Sequence, residues 1–528
     1  MASKLKTFNI KSHVGGLNIY ANATQVKDDE SPDLLNTICI GLTGVTGRQG
    51  FIKLISTEAV AGHKIQGIFS YITNSVNEVL YVTNGVLYKY NGSGGSTEVT
   101  GGTFSATANV NACQVGSRLY FADGATALCY YDGTNIVTTG ISAAPTKIKQ
   151  VIKYNNRLYC NSDDQKSRVY YGKPMGSDGT ATDTGDFTSG ATAGYFDFGL
   201  GQEVVGFAKR ESYLYVFNKN QIHQITPVVS SGTLDHTQTI ISSSLGCRAP
   251  RSIENVENDV YFVDSTVYSL GEVANYSALR TTNVSAKIAK LFANMNQASI
   301  VDVATIYYDK EETILISVQV GSSCNDHIVA YQLGYKAWTY WDGIKANSFL
   351  DYVDSSDVKH PYFGCDQATS LVYELYQGLN DDGVAINKKY RTKLFDLDKF
   401  NIEKIFQSWN IQLGGVYGVT TVNLYVDGVL ADTATFSSGT GAITSDGWGT
   451  ETLGTFPMGL EGNFTEGSST EASVSNDWRW HTLSTSPSGT NFQLEFINNN
   501  LDENFEIKQE VIGYLELPYY KRNTAKEV

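Results

Sequence analysis

NEVLYVTNGVLYKYNG, at Asn77–Gly92, consists of a polar turn, an apolar-Tyr strand, a second turn and another Tyr-rich strand. The phrase returns as GSRLYFADGATALCYYDG at Gly116–Gly133 and as NNRLYCNSDDQKSRVYYG at Asn155–Gly172. It recurs as ESYLYVFNKNQIHQI at Glu211–Ile225 and NDVYFVDSTVYSL at Asn258–Leu270. The anchors Leu80–Tyr81, Leu119–Tyr120, Leu158–Tyr159, Leu214–Tyr215 and Val260–Tyr261 lie 39, 39, 56 and 46 residues apart. The longest interval holds a small polar insertion at Met175–Gly194, so the underlying period is that of a four-strand unit. A unit of that length repeated radially is the sequence form of a β-propeller.

Further units at Ile300–Gly343 and Ser348–Gly378 bring the expectation to six or seven blades across residues 61–378. Composition agrees with an all-β chain: 33 tyrosines favour strands, while 50 glycines against 9 prolines suit tight hairpins. Ser285–Asn296 is the exception. Ile288, Leu291, Phe292 and Met295 fall at helical spacing, which predicts an amphipathic helix with Ser285 as N-cap.

On either side of the repeat the pattern changes. Residues 1–60 alternate as a strand through FNIKSHVGGLNIY and then enter a glycine-spaced stretch (Gly41, Gly44, Gly47, Gly50). Those glycines match neither phosphate-binding order, so a nucleotide site is not expected. Residues 379–528 read as strands such as FQSWNIQLGG and TNFQLEFINN separated by long polar loops. This predicts an antiparallel β-sandwich or platform from the C-terminal region together with the N-terminal segment.

Net charge is −15, and no Lys/Arg cluster of the kind a dedicated DNA binder needs is visible. Seven scattered cysteines, never spaced C-x-x-C, suit folding in a reducing cytosol. No apolar run is long enough for a signal peptide or a membrane span. The seven histidines lack metal-ligand spacing, and Asp381–Asp382–Gly383 reads as a turn rather than a calcium loop. Two short S-x-x-K matches, Ser3–Lys6 and Ser356–Lys359, lack their companion motifs. The expectation is a protein with no catalytic, cofactor or metal site. Two rival readings stay open. Trp338, Trp341, Trp478 and Trp480 could stack on glycans in a receptor-binding protein, although tryptophans in a repeat more often pad blade contacts. Paired carboxylates from separate blades could hydrolyse a polysaccharide without leaving a linear signature.

Several phrases together resemble the tail nozzle proteins of short-tailed bacteriophages, a family also named tail tubular protein B or packaged-DNA stabilisation protein. At the N-terminus these are a GGLN strand (Gly15, Gly16, Leu17, Asn18), an acidic Asn-containing segment (Asp28–Asn36) and a Gly/Arg turn (Gly47–Gly50). Mid-chain they are CRAPRSIENVENDVYFVDSTVYSL, LRTTNVSAKIAKL, IVAYQLGYKAWTYWDG and a D-x-G turn entering YRTKLFDL. The similarity spans Val14–Leu397. It implies a propeller on a platform made partly from the chain ends, with Gly15–Asn18 as an assembly motif and no catalytic residues. It also implies a virion tail protein assembled in the host cytoplasm. Six copies would form a ring below the portal and adaptor, with tail fibre or needle proteins beneath. Double-stranded DNA would be retained by that ring and pass through it at ejection. On this reading, an acidic lumen would let the genome slide, and the loops Met175–Gly194 and Gly439–Ser475 would serve as gates or tail-protein contacts.

Overall fold

The second strand of a blade is packed on both faces, as in Asn77–Thr83, Arg118–Ala122, Arg157–Ser162 and Tyr213–Asn218, and this explains the unbroken apolar-Tyr runs. The structure, a computed structural model, describes residues 5–517 apart from 177–184, 200, 211, 274–277, 415–417, 438–476 and 484. Gly439–Ser475 and part of Met175–Gly194 therefore lie outside the described residues. Two compact units are present: Gln49–Gly378, and a second formed by Met1–Arg48 with Leu379–Val528.

Among the described residues, the first unit is a propeller of seven antiparallel blades, each with four strands from this unit. Their innermost strands are Ile65–Ile72, Asn111–Val115, Ile148–Tyr154, Val204–Arg210, Glu254–Val256, Ala304–Tyr308 and Ala346–Val353. These strands touch in succession, and the seventh meets the first to close the ring. That closing seam is tight: a Cβ on Gly364 would lie 2.3 Å from Ile65 Cγ2. The outer strand of blade 7 comes from the other end of the repeat. Phe51–Lys53 pairs with Val372–Leu375, and Gly50 N–H donates to Gly378 O at 3.0 Å. Closing the last blade with an early strand ties the ring shut without leaving a long open edge. The expected boundary at 60/61 therefore falls at 48/49, because residues 51–53 complete a blade.

Leu158 packs towards blade 2 with Tyr120, whereas Tyr159 packs towards blade 4 with Leu214 and Val216. Blade 4 repeats this, with Leu214 facing back and Tyr215 facing blade 5. In blade 1 the phase is reversed, with Leu80 facing blade 2 and Tyr81 facing blade 7. A strand's side chains alternate, so a one-residue slip exchanges the two faces. The Leu–Tyr anchor thus marks the second strand of the blades that carry it but not its orientation.

The expected helix is shorter than its pattern suggests. Ala286–Ile288 is a 3-10 turn, and Ala289–Asn294 is the α-helix. Ser285 does not cap it, because its hydroxyl accepts Val267 N–H at 2.9 Å on the adjacent blade strand. Ile288, Leu291, Phe292 and Met295 are all buried, as the apolar stripe requires.

Among the described residues, the second unit has two larger antiparallel sheets and a two-stranded parallel one. One contains Asp477–Thr482, Lys404–Leu413, Glu506–Glu516, Gly44–Gly47 and Thr37–Ile40, with Lys6–Ile10 and Ser488–Gly489 at its margins. The other orders Asp33–Leu35, Lys388–Arg391, Phe492–Asn498, Val419–Val426 and Val429–Ser437. The N-terminal 48 residues therefore contribute strands to both sheets. Lys404–Leu413 alternates buried and half-buried until Ser408 and Trp409, which are both buried. The register shifts there, between Phe406 and Ser408, so a bulge resets the phase and brings Trp409 inside. Among the described residues, no helix is long and apolar enough to cross a membrane. None of the seven cysteines is bridged.

Candidate functional site

Gly15–Asn18 forms a clasp inside the chain-end unit. Gly16–Leu17 pairs in parallel with Glu30–Ser31, and Gly16 has φ +70°. A Cβ at Gly15 would sit 2.7 Å from Glu30 Cγ and 2.8 Å from the Asp29 carbonyl carbon, so only glycine allows this approach. Asn18 Nδ2 donates to Glu30 Oε2 at 2.7 Å, and Lys27 N–H donates to the same oxygen at 3.0 Å. Leu17 sits in the core, and the Glu30 side chain is buried. The motif works by satisfying a buried carboxylate, which would otherwise be costly.

The Gly/Arg turn and the Asp-Asp-Gly turn meet although 333 residues separate Arg48 from Asp381. Arg48 donates through Nη1 and Nη2 to the two Asp381 carboxylate oxygens at 2.8 and 2.6 Å. Its Nε donates to Asn36 Oδ1 at 2.9 Å, and Asn36 Nδ2 donates to Asn387 O at 2.7 Å. Beside this fork, the wholly buried Lys388 donates to Glu503 O at 2.6 Å. Burial, aided by the neighbouring Arg48 charge, pushes the Lys388 ammonium down to about 8. A Cβ at Gly47 would lie 2.3 Å from Lys388 Cδ, which gives this glycine a steric role. The turn expected at Asp381–Gly383 is present, with Asp382 at φ +51° and Gly383 at +85°. Its first aspartate is also half of a buried ion pair, which the local sequence could not indicate.

A second polar group lies deeper. His13 Nδ1 is 3.0 Å from Tyr390 Oη, and Nε2 is 2.9 Å from Glu510 Oε2, with all three side chains buried. Burial, with the Glu510 charge adding to it, holds the Tyr390 phenol well above its usual range. Ser31 Oγ donates to Arg391 O at 2.6 Å, joining the acidic N-terminal segment to the YRTKLFDL strand.

In the propeller, polar side chains cross the axis at one end of the inner strands. Arg251 (blade 5) reaches the carbonyl and side-chain oxygens of Asn347 (blade 7), and its Nη2 donates to Asp302 O at 2.8 Å. Asn347 Nδ2 donates in turn to Ile65 O at 2.6 Å and Asn109 Oδ1 at 2.9 Å, tying in blades 1 and 2. Trp338 and Trp341 are buried padding. Their Nε1 groups donate to Val284 O and Thr339 Oγ1, both at 3.0 Å, so neither ring is free to stack on a glycan. Trp478 is half-buried, and the Trp480 side chain lies outside the described residues. Burial pushes Glu254 up to about 8, with the Asp351 charge adding to it. Asp351 is also raised by burial, and Lys359 approaches it at 3.5 Å. Among the described residues, no cluster of three His, Cys, Asp or Glu side chains could hold a metal.

No protein-family model and no curated protein matches the chain. Solved structures with a similar course include the β-propeller domain of Cps50 (Swd1) from Myceliophteria thermophila, at 9% identity and TM-score 0.39. That match covers 61% of this chain and 99% of the other. The N-terminal domain of BBS1, solved with ARL6, matches at 9% identity and TM-score 0.39, covering 62% and 97%. The computationally designed Ika8 protein matches at 10% identity and TM-score 0.34, covering 62% and 100%. The propeller assignment rests on the seven blades themselves.

Proposed function

We propose that this chain is a tail nozzle-type component of a short-tailed bacteriophage: a subunit of a ring that retains packaged DNA and conducts it at ejection. The reading begins from the sequence resemblance. Its carrying observation is that phrases far apart in the chain meet within one unit, through Arg48–Asp381 at 2.6 Å and Ser31–Arg391 at 2.6 Å. The terminal phrases behind the resemblance are therefore fold determinants of a domain made from the two chain ends, with the propeller inserted between them. That is the architecture the resemblance implies. In this reading the protein is not an enzyme, uses no cofactor or metal, and acts in the virion tail. Ring formation needs two unlike faces on each subunit, and rigid blades suit a wall under internal pressure.

Imaging of the purified protein with and without neighbouring tail proteins tests this. The expected particle is a ring of about six subunits whose channel admits a duplex of roughly 20 Å, a width set by grooves already about 8 Å deep. A chain that stays monomeric with those partners present overturns the proposal. A carbohydrate- or receptor-binding role would instead require glycan binding lost on Trp478→Ala. A polysaccharide-degrading role has its best support in the raised Glu254 and Asp351 carboxyls, and requires turnover abolished by Glu254→Gln.

A further inference from the structure

We propose that two copies of this chain meet through the chain-end unit, with Phe400 of one copy seated in the apolar groove beside Lys11 and Lys27 of the other. The contact needs no tail protein, so it goes beyond the reading above and stands or falls separately from it.

Phe400 is 77% exposed, more than any other aromatic side chain among the described residues. The loop that carries it is firmly held. The buried Lys404 ammonium donates to Asp396 O, Lys399 O and Thr490 O, each at 2.7 Å. Burying an ammonium is costly unless its protons are bonded, and here all three tie this loop to the adjoining turn at Thr490. Leu397 and Asp398 both take the left-handed region, at φ +55° and +58°, which makes the sharp turn before Phe400. Lys399 is paired with Glu516 at 2.8 Å, whereas the Asp398 and Glu403 carboxylates form no ion pair among the described residues. Phe400 is thus an aromatic knob with an acidic collar.

The groove lies in the same unit and has a volume of about 470 Å³. Phe8, Ile10 and Phe395 form its apolar lining, with Lys11, Lys27, Asp28 and Asp29 at its margin. The Phe8 and Phe395 rings are 5.1 Å apart, and Phe8 is only half-buried. Benzene fits an apolar cavity of roughly 150 Å³, so the groove can take a phenyl ring and the chain that carries it. Asp28 is paired with Lys393 at 2.8 Å, and the Asp29 charge acts on the buried Tyr390. Lys11 and Lys27 are exposed and form no ion pair among the described residues.

Knob and groove match in chemistry and in sign. An aromatic anchor in an apolar pocket, ringed by charges, is the usual centre of a contact between proteins. The groove carries Lys11, Lys27 and Lys393 against Asp28 and Asp29, a positive surplus. The knob carries unpaired Asp398 and Glu403 beside a lysine that Glu516 already neutralises, a negative surplus. Complementary rims of this kind steer encounter and reject a wrong register. A second copy supplies both halves from one sequence.

Sedimentation equilibrium of the purified full chain, without tail proteins, tests the contact. The chain should self-associate with a dissociation constant in the micromolar range. Phe400→Ser should weaken association about thirtyfold, the loss of one aromatic anchor. Lys11→Glu with Lys27→Glu should weaken it about tenfold by setting like charges opposite each other. These are surface changes, and the circular dichroism spectrum should stay that of the parent chain. Mixed together, the two variants should pair again, because one keeps an intact groove and the other an intact knob. Val229→Ser, at an exposed apolar position on blade 4, should leave association unchanged. A parent chain that stays monomeric, an association untouched by Phe400→Ser, or a mixture that does not pair overturns the contact. A ring that assembles with tail proteins regardless of Phe400→Ser also overturns it, and leaves the nozzle reading standing.

Discussion

The seam between blades 3 and 4 holds Tyr159, Leu214, Val216 and Ile225, whereas the chain-end unit places Arg48, Asp381, Lys388, His13 and Glu510 at comparable depth. The difference follows from how each region is assembled. At six of the seven seams a blade meets its neighbour through contacts a few tens of residues apart, so shape and apolar area are enough. The chain-end unit must bring residue 13 to residue 510 and residue 48 to residue 381. Apolar strands alone could pair there in several registers. A fork such as Arg48–Asp381 is satisfied in one of them, the use for which buried polar groups are best attested.

The largest effect should come from breaking that fork. Arg48→Met leaves Asp381 buried without its partner and should cost about 3–5 kcal/mol in urea unfolding of the chain-end unit. Adding Asp381→Leu should recover at least half of the loss. If the double variant is no better than the single one, the fork is not what sets the cost. Next in size is Leu214→Ala, which opens a cavity in the blade 3–4 seam and should cost about 3 kcal/mol. A calorimetric transition that shifts for Leu214→Ala and not for Arg48→Met would separate the two kinds of core; a common shift would show that they unfold together.

Acid should act on the propeller through His236. This side chain is buried between Tyr171 and Phe196, with ring centroids at 4.6 and 4.7 Å, and Tyr159 Oη lies 3.0 Å from its Nε2. Burial pulls the imidazole from 6.5 down to about 4, outweighing the neighbouring Asp235. The unfolded chain then binds the proton that the folded chain refuses. Stability contributed by neutral His236 is complete above pH 6.5 and falls as the pH drops towards 4, by about 2 kcal/mol at pH 5. His236→Phe should flatten that part of the urea-midpoint profile, and an unchanged slope would assign the acid sensitivity elsewhere. The smallest effect concerns Ser285. Ser285→Ala removes the acceptor of Val267 N–H and should cost about 1 kcal/mol. Its signature should be faster amide exchange at Val267, with the start of the short helix unaffected.

Some of this was open to direct reading. The Leu–Tyr anchors and their spacing determined that strands recur and that a disc of blades follows, because the signal repeats within about 40 residues and depends on local alternation. The stripe Ile288, Leu291, Phe292 and Met295 was legible for the same reason, as was the burial of Trp338 and Trp341. The Leu80–Tyr81 phase was not, because one residue of slip leaves the composition unchanged while exchanging the faces. Nor could the local pattern show that Phe51–Lys53 completes blade 7, that Ser285 serves a neighbouring strand, or that Asp381 finds Arg48. Each of these depends on which distant segment arrives alongside. The sequence by itself determined the local strand signal and its period. Tertiary structure decided register, ring closure and the pairing of buried charges, since these are free-energy differences between alternative long-range contacts that no short window contains.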